Sequence, residues 1–179
     1  MPSSINKINK DSETDFNASD YFPEYPLKSE KKENPDKIDL VGKVAPEWTL
    51  KDTENNSVNL YDMKSKLIMI QFTGIGCGAC HASIPFLKQL VTDYKAKDFE
   101  FVSIETWNSN LDAIKRYKEK HEFNFKFLNA TNNVMKNYQV KGVPVFFILD
   151  ENKVIRKIIK GYNKDSTDKE VRDILNQMI

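Results

Sequence analysis

An α/β architecture, with a central mixed β-sheet and helices on both faces, is what the patterning of this chain predicts. Three observations carry that expectation. Residues 66–72 (KLIMIQF) form a short, nearly continuous apolar run, as in a strand buried on both faces. Strand-like and helix-period segments then alternate through residue 138, and a strand pair followed by a helix closes the chain.

Taken in order, residues 47–50 and 57–60 flank Asn55-Asn56 and read as an N-terminal hairpin. The strand at 66–72 leads into Thr73-Gly74-Ile75-Gly76-Cys77-Gly78-Ala79-Cys80, which holds three of the six glycines. A helix follows with Ile84, Leu87, Leu90, Val91 and Tyr94 on one stripe and Pro85 bending it. Residues 99–105 are a strand. Residues 111–121 are a helix with Leu111, Ile114 and Tyr117 facing in. Residues 125–128 are strand-like and 133–138 a short helix. Residues 145–149 and 154–159 pair across the turn 150–153. The last helix opens with a capping box, Thr167 and Glu170, and continues with Val171, Ile174, Leu175 and Met178 at helical spacing.

Residues 1–40 differ from the rest. They contain four of the seven prolines, no glycine, and six Lys against nine Asp plus Glu, which makes the stretch acidic and the remainder basic. Such composition suggests a flexible polar arm ahead of a domain at 41–179. The aromatic stretch 21–27 (YFPEYPL) is the exception and reads as a strap over the core.

Composition excludes several function classes. Over 179 residues the formal net charge is +1, so there is no basic footprint for nucleic acid. No apolar run approaches the roughly 20 residues that span a bilayer. Two cysteines cannot build a disulfide scaffold. No secretory signal opens the chain, so either the protein is cytosolic or its leader is absent from this chain.

Cys77 and Cys80 carry the chemistry. A cysteine at a helix N-terminus faces unpaired N–H groups and the positive end of the macrodipole, which favour the thiolate that attacks disulfides. Cys80, one turn on, can resolve the mixed disulfide, and Gly74 and Gly76 leave Cys77 uncovered. The alternatives are half of a zinc site and an inert buried pair. Zinc normally recruits four ligands, and the further Cys or His candidates are His81 and His121. His121 reads as a half-buried helix-end residue, whereas His81 is a candidate to tune the Cys77 thiolate. The second signal is Gly142-Val143-Pro144 ahead of an apolar strand. A cis Val143–Pro144 bond would explain a proline there, a trans edge proline being the plainer arrangement. An exposed Val143 backbone could hold an extended peptide.

Together these residues resemble the thioredoxin superfamily, and more closely its TlpA/ResA-type thiol–disulfide oxidoreductases, from about Val41 to Ile179. Gly42-Lys43-Val44-Ala45-Pro46-Glu47-Trp48 is similar to that branch's opening segment. The stretch from Gln71 to Cys80 is similar to its strand and active-site turn, and Gly142-Val143-Pro144 to its cis-proline loop. The helix and strand between Leu111 and Leu128 look like its helix–strand insertion before that loop. The resemblance implies a thioredoxin-like fold and a cofactor-free, metal-free reductase of protein disulfides. It implies Cys77 and Cys80 as the catalytic pair and Gly76, Gly78, Ala79, Val143 and Pro144 at the substrate. It also implies export to the periplasm or the outer side of a membrane, a membrane electron donor and a place in cytochrome c maturation. Oxidase and isomerase roles use the same constellation. A peroxiredoxin is disfavoured because Ile70 and Gly74 replace its proline and threonine, and a metal chaperone because ligands are few. The oligomeric state is left open.

Three departures stand out. Gly76 occupies the place of the family's tryptophan, Gln71 that of the buried aspartate of plain thioredoxins, and Ser83 that of the glutamate of many ResA-type proteins. Glu105, at the end of a neighbouring strand, is the candidate replacement for proton transfer, with its pKa raised by partial burial, and Gln71 is with His81 a candidate to tune the pair. Trp107 is the candidate replacement for the lost apolar wall.

Overall fold

The computed structural model describes residues 38–179; the arm expected at the N-terminus, with its aromatic stretch, lies outside them apart from its last three residues. Among the described residues seven strands form one sheet: β1 (Thr49–Asp52), β2 (Ser57–Asn59), β3 (Leu67–Thr73), β4 (Phe99–Glu105), β5 (Lys126–Asn129), β6 (Val145–Leu149) and β7 (Ile155–Lys160). The helices are α1 (Gly78–Asp93), α2 (Leu111–Lys120), α3 (Asn132–Asn137) and α4 (Lys164–Met178). The strand order is β2-β1-β5-β4-β3-β6-β7. β3, β4 and β5 run parallel, and every other pairing is antiparallel. The mixed sheet expected from the alternation is present.

β3 is the pivot. All seven of its residues are buried, because β4 and β6 pair with its two edges and side chains cover both faces. The period-2 alternation sorts its side chains between two cores. Leu67 and Met69 join Phe86, Leu87 and Leu90 of α1 and Val171 and Leu175 of α4. Ile68, Ile70 and Phe72 join Trp48, Leu50, Val134 and Tyr138 on the other face. By the same alternation Gln71 falls in the row of Leu67 and Met69, and its register partner Ser103 falls in the row of Phe101. Two polar residues therefore follow the apolar ones in the α1-facing rows of the central strands, ahead of Thr73 and Glu105 at the strand ends.

The hairpin, strands and helices lie within a few residues of expectation, with two corrections. α4 begins a turn before the predicted capping box. Asn163 is its N-cap, with Oδ1 accepting from the N–H groups of Asp165 at 3.0 Å and Ser166 at 3.2 Å. Thr167 sits inside the helix, where Oγ1 accepts from Asn163 N–H at 3.0 Å. Asn caps as well as Thr and comes first in the chain, so the helix starts there. In α2, Ile114 alone of the three predicted inward residues is fully buried, while Leu111 and Tyr117 are half-buried. This helix covers chiefly β5, so its flanks keep contact with solvent.

Candidate active site

The reactive end of the sheet is built where β3 stops. After Thr73 the chain makes a turn closed by Cys77 N–H donating to Gly74 O at 3.0 Å, with Gly76 at φ +95°, a left-handed conformation that only glycine adopts freely. Cys77 is the N-cap of α1 and Cys80 lies one turn along it, and the two form a disulfide with Cα atoms 5.2 Å apart. The Cys80 N–H points at Cys77 Sγ, 3.1 Å away. That is a free helical donor aimed at the sulfur, the arrangement that favours a thiolate when the pair is reduced. Gly76, Gly78 and Ala79 are exposed around two buried sulfur-bearing residues.

β6 runs antiparallel to β3, so its entry lies at the same end of the sheet as the exit from β3. The Val143–Pro144 peptide bond is cis. Val143 O lies 3.7 Å from Cys77 Sγ. A cavity of about 340 Å³ opens beside this loop, walled in part by Gln139, Lys141, Val143, Pro144 and Lys160.

On the other side of β3, Glu105 ends β4 with no solvent exposure. Its Oε2 accepts from Ile75 N–H at 2.8 Å, and its Oε1 accepts from Trp107 N–H at 2.8 Å and Asn108 N–H at 2.9 Å. One carboxylate thus ties the cysteine loop to the β4–α2 loop. Thr106 adds two bonds to Thr73 O, from its N–H at 2.9 Å and its hydroxyl at 2.8 Å. Burial pushes the Glu105 pKa above the usual glutamate value, while the amide hydrogen bonds pull it back down. The Trp107 indole lies directly on Gly74, where any Cβ would collide with ring atoms Cγ, Cδ2 and Cε3. Gly74 is needed for that close approach.

Behind Cys80 runs an uncharged chain. Ser103 Oγ donates to Gln71 Oε1 at 2.8 Å, Gln71 Nε2 donates to Ser83 Oγ at 3.1 Å, and Ser83 Oγ donates to the Cys80 carbonyl at 2.7 Å. Gln71 and Ser83, the two positions expected to lack a carboxylate, therefore touch each other here, and each of the three side chains has a hydrogen-bond partner. Ser103 was the member that sequence reasoning missed; its signal was a polar residue opposite Gln71 in adjacent apolar strands.

His81, the candidate thiolate tuner, is exposed and engaged elsewhere. Its Nδ1 is 3.4 Å from Tyr117 Oη, and its ring meets the His121 ring edge-on with centroids 4.9 Å apart. His121 caps the end of α2, and its pKa is lowered by burial and then by the neighbouring charges of His81, Lys120 and Lys88. Tyr117, which sequence reasoning used only as a core residue, joins the two helices. Among the described residues, no group of three or more His, Cys, Asp or Glu is placed to hold a metal.

Residues 40–176 match the Redoxin family. The chain is 27% identical over 127 residues to the thiol-disulfide oxidoreductase ResA of Bacillus cereus, covering 70% of this chain and 73% of that protein. It is 26% identical over 122 residues to ResA of Geobacillus thermodenitrificans, covering 68% and 70%. Among solved structures, a putative thiol:disulfide interchange protein DsbE from Chlorobium tepidum superposes with a TM-score of 0.71 at 23% identity, over 78% of this chain and 98% of that one. The thioredoxin domain of a thiol-disulfide oxidoreductase from Bacteroides vulgatus gives 0.66 at 25% identity, over 76% and 98%.

The buried carboxylate has a consequence for stability. A glutamate whose folded pKa is raised contributes most below its unfolded value, near 4.5, and that contribution is lost as pH rises through the folded value. Glu105→Gln should flatten the decline in stability over that interval. Urea unfolding midpoints across a pH series check this; an unchanged slope contradicts it.

Proposed function

The chain belongs to the Redoxin family, and from that premise we propose that it is a thiol–disulfide oxidoreductase that reduces protein disulfides, with Cys77 as nucleophile and Cys80 as resolving thiol. The observation that carries the reading is the disulfide between the N-cap of α1 and the residue one turn on, with Val143 O alongside. The thioredoxin-like fold and the names of the ResA relatives support it.

In the reduced protein the Cys77 thiolate attacks one sulfur of the substrate disulfide. The substrate S–S bond breaks, its other sulfur leaves as a thiolate and takes up a proton, and a mixed disulfide to Cys77 remains. Cys80 loses its proton and attacks Cys77 Sγ, which releases the second substrate thiol. Two electrons have passed to the substrate, and Cys77–Cys80 is left as the disulfide seen in the structure. Gly76, Gly78 and Ala79 leave room for the substrate, and the chain at Val143–Pro144 offers it a backbone edge.

What stabilises the thiolate supports the reducing direction. The N-terminus of α1 supplies an amide donor to Cys77 Sγ, while the His81 ring is turned to Tyr117 and His121. A thiolate held by backbone dipoles without an adjacent imidazolium favours the dithiol less than a strong oxidant requires. The similarity to the exported branch supports a site of action outside the cytoplasm. There a dithiol donor in the membrane would return the protein to its reduced form, and cytochrome c maturation is the process served.

Three measurements test these assignments. Cys80→Ser should accumulate a mixed disulfide with a disulfide-bonded peptide, seen by mass spectrometry, and Cys77→Ser should not; the reverse pattern would exchange the roles. Equilibration in thiol buffers should place the couple near thioredoxin's value of about −270 mV, whereas a value near the −120 mV of DsbA would make the protein an oxidant. For Glu105, a role in taking the Cys80 proton is supported by its raised pKa and its bond to Ile75 in the cysteine loop. An unchanged pH profile of exchange in Glu105→Gln would overturn that role and leave the carboxylate as a holder of loops.

A further inference from the structure

We propose that Trp107 is the specificity platform of this site, taking a large apolar or aromatic side chain that flanks the disulfide cysteine of an extended partner segment. The inference rests on the oxidoreductase reading and names the class of substrate it favours.

Trp107 is 58% exposed, an unusual placement for so large an apolar residue. It is nevertheless held in place. One face rests on Gly74, and the backbone beneath it is fixed by the Trp107 and Asn108 N–H groups on Glu105 and by Thr106 on Thr73 O. An aromatic surface already ordered on a rigid loop loses little conformational freedom when a partner covers it.

Its place in the sheet says what would cover it. β4 and β6 are the two neighbours of β3. Trp107 follows β4 and Val143–Pro144 precedes β6, so these two surfaces flank the loop that carries Cys77 from opposite sides. A segment that brings its cysteine to Cys77 between these two surfaces can turn a neighbouring side chain toward the indole. Gly76 leaves that rim open: it has no side chain, and a Cβ built there would meet no atom within 4 Å. The exposed ring lies on Gly74, three residues before Cys77, and its chemistry selects an apolar neighbour over a polar one.

The test uses the full chain, reduced beforehand, and two synthetic peptides each closed by one internal disulfide. They are identical except that Phe flanks the cysteines in one and Ser in the other. Each rate is divided by that of dithiothreitol with the same peptide, which removes intrinsic differences between the disulfides. The wild-type protein should prefer the Phe peptide by about fivefold to tenfold in kcat/KM, expressed mainly in KM. Trp107→Ala should bring that ratio to within about twofold of one, and Trp107→Phe should keep most of it. A wild-type ratio of one, or a ratio unchanged in Trp107→Ala, overturns the proposal. So does an equal loss on both peptides, which would make Trp107 a residue that only positions the loop. If the wild-type protein exchanges with neither peptide nor with a small-molecule disulfide, the oxidoreductase reading itself fails. Exchange with all three and no preference removes only the role of Trp107.

Discussion

Burial of β3 along its whole length is the constraint on which the rest of the structure depends. A strand with partners on both edges and cores on both faces cannot place a reactive group along its length, because all of its residues are buried. Chemistry is possible only where the strand ends. There the backbone passes through Gly74 and Gly76 into the N-terminus of α1, and donors unpaired within the helix become available to a sulfur. The parallel strand β4 and the antiparallel strand β6 bring their own loops to that same end. The site is therefore composed of three loops around one strand terminus, with the cysteines in the middle.

The charge at this site is placed with economy. Behind the Cys80 carbonyl the chain has Gln71, Ser83 and Ser103 in a neutral hydrogen-bonded network. A neutral chain of this kind avoids the desolvation that an ionised group would suffer in the same place. The buried carboxylate that is present, Glu105, stands one strand away and accepts three backbone N–H groups. Those bonds offset part of its burial and hold two loops together. Trp107 depends on them, since its own N–H is one of the three.

How much of this was legible in the sequence differs by range. The run at 66–72 announced a doubly buried strand because it is apolar at both parities, too short for a buried helix and followed closely by glycines. The cysteine spacing and the glycines around it likewise announced a strand–turn–helix junction. The start of α4 was misplaced because Thr167 and Glu170 satisfy a local pattern that also fits a helix interior, while Asn163, an equally good cap, comes earlier. Leu111 and Tyr117 were assigned inward from period alone. Period locates a stripe but cannot say how much of it a neighbouring strand will cover.

The sequence by itself determined what is local: the element order, the Cys77–Cys80 pair at a helix start, and Pro144 at the entry to an apolar strand. Interactions three or four residues apart obey the helical repeat and need no knowledge of the sheet. Tertiary structure alone decided that Glu105 would bind Ile75 across 30 residues, that Val143 O would stand beside Cys77 across 66, and that the Trp107 indole would lie on Gly74. Those contacts follow from strand order and register, which pair Thr73 with Glu105 and Phe72 with Val145. Many strand orders are compatible with the same apolar alternation, and the packing of the whole core selects one.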